Sequence, residues 1–137
     1  MFDKRKMGLL ATVAVLGLGA TMSVAQQISV EEAALGNSTV RLYVHPFLTA
    51  DELTTLRLVM TNEQALALFV PNSAGHAALA AAPGEGVIRE GKPVASAIAL
   101  ADLPDPASAA KAASAACDQA KTTSSPCVVV LEIAPKN

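Results

Sequence analysis

Aromatic side chains are nearly missing: there is no tryptophan, one tyrosine and three phenylalanines in 137 residues. Beyond residue 25 only Tyr43, Phe47 and Phe69 remain, so burial must rest on Val, Leu, Ile and a great deal of Ala. Alanine removes little surface from water, so the hydrophobic stabilisation per residue is low and a covalent staple would matter. Cationic clusters are also missing. Setting aside Lys4, Arg5, Lys6 and Asp3, the chain carries 7 basic and 11 acidic residues, with no Lys/Arg patch among them. That removes the electrostatic footprint which nucleic-acid or anionic-lipid binding requires. No His-x-x-x-His or Cys-x-x-Cys spacing exists for zinc, and no Gly-x-Ser-x-Gly elbow marks a nucleophile. The turn Gly84-Glu85-Gly86 lacks the lysine of a phosphate loop and reads as a turn.

What is present begins with a leader. Lys4, Arg5 and Lys6 precede an apolar run from Leu9 to Val24, and Ser23-Val24-Ala25 offers small residues at both recognition positions of a secretory signal. The pattern predicts a signal peptide over residues 1–25, with cleavage between Ala25 and Gln26. The alternative is an uncleaved anchor, since a span needs about 17 apolar residues. Cleavage would leave a periplasmic or secreted protein in a compartment where thiols oxidise. Membrane contact would then occur only through the leader before its removal.

Residues 26–38 read as an N-terminal arm or a helix of about two turns, with Ser29 and Glu32 in capping-box spacing and Gly36-Asn37 as its end. Asn37-Ser38-Thr39 also fits the N-glycosylation pattern, a match common by chance. Residues 39–134 read as a single domain and 135–137 as a tail. Within it, Thr39 to His45 predicts a first strand, with one face wetter than the other. Thr49 and Glu52 have the spacing of reciprocal caps for a helix from about Ala50 to Asn62. The paired acids Asp51-Glu52 and Glu31-Glu32 both look like helix-start residues. Two short apolar runs, Ala65 to Val70 and His76 to Ala82, flank the turn formers Pro71 to Gly75 and read as a hairpin. Val87 to Lys92 is expected as an exposed loop or small ribbon, and Val94 to Leu100 as another strand.

The C-terminal third organises the chain. Asp105-Pro106 is a cap followed by proline at the first helical position, and Ala109, Ala113, Ala116 and Ala120 form a narrow stripe with Cys117 on its border. Cys127 opens Val128-Val129-Val130-Leu131, an unbroken apolar run expected at the centre of a sheet. Cys117 and Cys127 are ten apart, and in an oxidising compartment the simplest reading is a disulfide. A redox-active pair would favour Cys-x-x-Cys at a helix N-terminus, whereas Cys117 falls near a helix C-terminus.

The stretch from His76 to Ile133, with Ala78-Leu79-Ala80-Ala81-Ala82-Pro83-Gly84-Glu85-Gly86, the alanine helix ending in Cys117, and Pro126-Cys127-Val128-Val129-Val130, resembles small secreted bacterial domains of unknown function. Those domains pair a glycine-turn hairpin with a helix whose final-turn cysteine bonds to the next strand. The likeness covers about the C-terminal half of the mature chain. Some similar domains carry the label 5-aminolevulinate synthase. That activity needs a pyridoxal phosphate fold several times longer, with a Schiff-base lysine in a phosphate-binding pocket, and this chain is too short to build one. Where those domains have Trp or Tyr before the hairpin alanines, this chain has His76.

The fold expected is α+β: a mainly antiparallel sheet of four to five strands, with one covering helix tied to the last strand by the disulfide. The function expected is a non-catalytic module that binds a protein or envelope component, with no cofactor and no metal assigned. The alternative is a small extracytoplasmic, hydrolase-like enzyme using His45 or His76. Ser73 with His76, or Ser96 with His45 and Asp102, are the pairings such an enzyme could draw on.

Overall fold

A computed structural model describes residues 28–70 and 75–136; the expected leader and its cleavage point, and residues 71–74 with Ser73 among them, lie outside these. The chain forms strands β1 (Ser29–Leu35) and β2 (Ser38–Val44), helices α1 (Ala50–Thr61) and α2 (Glu63–Phe69), and strand β3 (His76–Ala81). A two-stranded ribbon follows, β4 (Ile88–Arg89) with β5 (Lys92–Pro93), then β6 (Ile98–Leu103), helix α3 (Pro106–Ala120) and β7 (Val128–Pro135). The main sheet has the order β1-β2-β7-β3-β6, and each neighbouring pair is antiparallel. The fold is therefore the expected α+β arrangement, with β7 in the middle.

Each face of the sheet has its own filling. Val40, Leu42, Leu79, Leu131 and Ile133 pack with Leu56, Val59 and Met60 of α1 and Leu66 of α2 in the main core. On the opposite face Ala78, Ala80 and Ala82 meet Ala109, Ala113 and Cys117 of α3. Small side chains on both surfaces let α3 lie close to β3 and β6. The buried line of α3 runs through Ala109, Ala113 and Cys117, at four-residue spacing, while Ala116 is half-buried and Ala120 exposed. The disulfide Cys117–Cys127, with Cα atoms 6.1 Å apart, fastens the last turn of α3 to the start of β7.

Four sequence expectations need correction. Residues 29–38 are neither an arm nor a short helix: Ser29–Leu35 pairs with β2 along its whole length, and Gly36-Asn37 is a two-residue hairpin turn. Gly36 has φ 59, the position a type II′ turn gives to glycine. Ala65 to Phe69 is helical, because the Asn62 side chain accepts from Ala65 N and starts α2 immediately after α1 ends. The hairpin with His76 to Ala82 therefore does not form; β3 pairs instead with β6 and β7. The strand expected over Val94 to Leu100 starts later, at Ile98, after a turn closed by Ala97 N donating to Val94 O. Finally, Pro135 ends β7 and does not belong to a tail.

Candidate functional site

Three carboxylates, Glu52, Glu85 and Asp118, bind backbone amides outside their own segments of the fold. Thr49 and Glu52 cap α1 reciprocally, as their spacing predicts, but the second oxygen of Glu52 reaches much further along the chain. Its Oε2 accepts from Val87 N at 2.7 Å, Ile88 N at 2.9 Å and Arg89 Nη1 at 2.9 Å, which ties the β4–β5 ribbon to the α1 N-terminus. Burial pushes the Glu52 carboxyl up, but the amides of Ile88, Thr49 and Val87 and the Arg89 charge together outweigh it, and the group ionises below the ordinary carboxylate range. Gly86, at φ 78, passes so near this cluster that a Cβ would run into the Glu52 carboxylate and the Arg89 guanidinium.

Glu85 makes a second node. It accepts from the Ser96 hydroxyl, from Thr122 N at 2.6 Å and from Thr123 N at 3.0 Å, joining the 82–86 turn to the linker after α3. The Ser96 hydroxyl and these amides pull its carboxyl down to about 2. Asp118 accepts from Cys127 N at 2.9 Å and from Lys121 Nζ at 3.0 Å, bracing the disulfide, and the Cys127 amide holds its carboxyl below the usual value. These three carboxylates are committed to holding the fold.

Ser96, His45 and Asp102 are not hydrogen-bonded to one another, and Ser73, the serine matched with His76, lies outside the described residues. Ser96 is buried and donates to Glu85. Nε2 of His45 lies 2.7 Å from the Val129 carbonyl oxygen and must donate to it, and the ring stacks on Phe47 with centroids 5.4 Å apart. Asp102 lies in β6 at φ 69. His76 pairs with Leu103, and among the described residues its buried Nδ1 has no hydrogen-bond partner. His45 adjoins Val129, and His76, one residue before the partner of Ile133, falls at the level of Ala134, so the two stand about five residues, or roughly 16 Å, apart along β7. Among the described residues no three His, Cys, Asp or Glu side chains group as metal ligands, and no helix is long and apolar enough to cross a membrane.

A different surface is left free. Helix α3 covers β3, β6 and part of β7 on its face of the sheet, and among the described residues nothing covers the β1–β2 half beside it. There the side chains alternate outward, so Val30, Glu32, Ala34, Arg41 and Tyr43 are exposed or half-exposed while Val40 and Leu42 are fully buried on the other side. Glu32, Arg41 and Glu132 are successive cross-strand partners on β1, β2 and β7 and form one row. Arg41 Nε donates to Glu32 Oε2 at 2.7 Å, and Tyr43 OH donates to Glu132 Oε1 at 2.7 Å. Burial, reinforced by the Glu132 carboxylate, raises the Tyr43 hydroxyl above its ordinary value. Between this row and the start of α3 lies an open groove of about 360 Å³, bordered by Glu32, Thr39, Arg41, Glu132, Ala134 and Pro106.

Sequence reasoning named neither the row nor the groove. The alternation Thr39/Val40/Arg41/Leu42/Tyr43 marked a wet face on β2, and Glu132 was the lone charge in an apolar run. Without knowing that β1 is a strand, nothing joined the two signals. Glu31 and Glu32, expected at a helix start, lie on opposite faces of β1: Glu31 is held by Arg57 of α1 at 2.8 Å and Glu32 by Arg41.

Comparison with known proteins yields no relative: no family model, no curated protein and no solved structure matches the chain.

Proposed function

We propose that the protein is a periplasmic or secreted, non-catalytic module that binds a protein or envelope component through the uncovered half of its sheet. The observation that carries this reading is the bare β1–β2–β7 surface with its row of Glu32, Arg41 and Glu132, in a domain whose other half on the same face is sealed by α3. An enzyme needs convergent polar groups in a cleft, whereas a binding module needs only an accessible surface of this kind. The carboxylates Glu52, Glu85 and Asp118 are each engaged by backbone amides, which favours a structural role for them. Export is supported by the leader pattern and by a disulfide of the kind that persists in oxidising compartments. The resemblance to small secreted bacterial domains points the same way.

The test uses the mature chain from Gln26, immobilised and exposed to the periplasmic fraction. An Arg41→Glu/Glu132→Lys variant serves as the surface control. Specific retention of a component by the wild type and its loss in the variant support the reading. Turnover of a generic ester or peptide by the pure protein, with no specific partner retained, reverses it in favour of an enzyme. N-terminal sequencing of the exported product should begin at Gln26, and an intact intracellular precursor would contradict export.

A further inference from the structure

The hairpin β1–β2 fixes which backbone groups are spent inside the sheet. Leu35 and Ser38 flank the two-residue turn and face each other, and residues in that position exchange both of their backbone hydrogen bonds. Counting back in twos, Ala33, Glu31 and Ser29 also bond toward β2. The N–H and C=O groups of Val30, Glu32 and Ala34 therefore point away from the sheet, along an edge to which no strand is paired among the described residues. Their side chains all lie on the uncovered face, and Val30 is 50 % exposed.

Charge decides what this edge accepts. The row Glu32, Arg41, Glu132 alternates in sign across three strands and stops at the edge on a carboxylate. Oε2 of Glu32 is taken by Arg41, while Oε1 has no partner among the described residues. Opposite charges across strands stabilise and like charges destabilise, so the position facing Glu32 on an added strand calls for a cation. A second copy of this chain is the poorer occupant. Two β1 strands meeting in the register that satisfies Val30, Glu32 and Ala34 on both would set Glu32 directly against Glu32.

We propose that the outer edge of β1 is a docking site for an extended segment of another protein, which adds as a sixth strand of the sheet with Lys or Arg opposite Glu32. Main-chain bonds to Val30, Glu32 and Ala34 supply the affinity, and the charge row supplies the register. This inference rests on the binding-module reading above and specifies its partner.

The probes are two capped heptapeptides, Thr-Val-Thr-Lys-Thr-Val-Thr and its counterpart with Glu at the centre, titrated into the disulfide-intact, isotopically labelled mature protein. The Lys peptide should perturb the amide signals of Val30, Glu32 and Ala34 and bind about five- to ten-fold more tightly than the Glu peptide. Glu32→Lys should reverse that preference. Ala34→Pro removes one outward N–H and leaves the β1–β2 ladder intact, and should weaken the Lys peptide while the remaining spectrum stays unchanged. Equal binding of the two peptides, no binding at millimolar peptide, perturbation confined to the groove beside Pro106, or a free protein that dimerises through β1 would each overturn strand addition. If a periplasmic component is retained equally by wild type and Ala34→Pro, the protein remains a binding module and only the edge is refuted. Loss of any retained component, with enzymatic turnover, refutes the module itself.

Discussion

Removing the Glu52 carboxylate should be among the most damaging single changes outside the apolar core. The residue is 2 % exposed, and its two oxygens serve the amides of Thr49, Val87 and Ile88 as well as Arg89. Glu52→Ala strands the N–H groups of Val87 and Ile88, and a buried donor without a partner costs about 1–3 kcal/mol. With half of the α1 capping box lost as well, the expected destabilisation is about 3–5 kcal/mol. At roughly 4–8 °C per kcal/mol for a domain of this size, the thermal midpoint should fall by more than about 12 °C. Glu52→Gln keeps one acceptor oxygen but turns an N–H toward other N–H groups, and should cost about 2 kcal/mol. With no tryptophan to report unfolding, urea titration followed by far-ultraviolet circular dichroism is the suitable assay. The pH dependence has a definite sign. The folded carboxyl ionises below its unfolded value of about 4.5, so its contribution is fully present above that value and is lost as pH falls through the folded one. The gap between wild type and Glu52→Gln should therefore shrink toward acid. A Glu52→Ala variant within about 0.5 kcal/mol of wild type at neutral pH, or a gap that widens below pH 4.5, would refute the claim that this carboxylate holds the ribbon to α1.

Replacing Cys117 and Cys127 with serine should lower stability by about 2.5–3 kcal/mol, the entropy of the loop they close, and reduced wild type should unfold at the same urea midpoint as the double variant. Glu85→Gln should flatten the acid limb of the stability profile. Wild type loses the Glu85 contribution as pH drops from about 4.5 to about 2, whereas the variant has none to lose, and thermal midpoints across that range read the difference. Ala113→Leu inserts bulk at a fully buried position between α3 and the sheet and should cost about 1–3 kcal/mol; an unchanged urea midpoint would mean that α3 does not lie as close as the alanines indicate.

The sequence is legible where the structure is local. Asp105-Pro106 caps α3, Thr49 and Glu52 cap α1, and the valine run after Cys127 is the central strand, each decided by residues within a few positions of one another. The misreadings arise where one signal serves two outcomes. Ser29 and Glu32 have capping-box spacing, yet Ser29–Leu35 is extended because a two-residue turn folds it onto β2 and the ladder outweighs a two-turn helix. Asn62 reads as the end of α1, and its side chain also begins α2, converting an apolar run that resembled a strand. The ties from Glu52 to Val87 and from Glu85 to Thr122 span more than thirty residues, and no spacing rule encodes them. The row across Glu32, Arg41 and Glu132 depends on strand order, which lies beyond periodicity.

The placement of β7 governs when the chain can fold at all. Val128–Pro135 comes after every other strand in the sequence and yet separates β2 from β3, so the β1–β2 hairpin and the β3–β6–α3 unit have no shared sheet until those eight residues arrive. A ribosome still short of Val128 therefore holds two unjoined halves, each with an open hydrogen-bonding edge and neither stapled, since Cys127 emerges just before the strand it introduces. Closure of the sheet and formation of the disulfide therefore become late, coupled events.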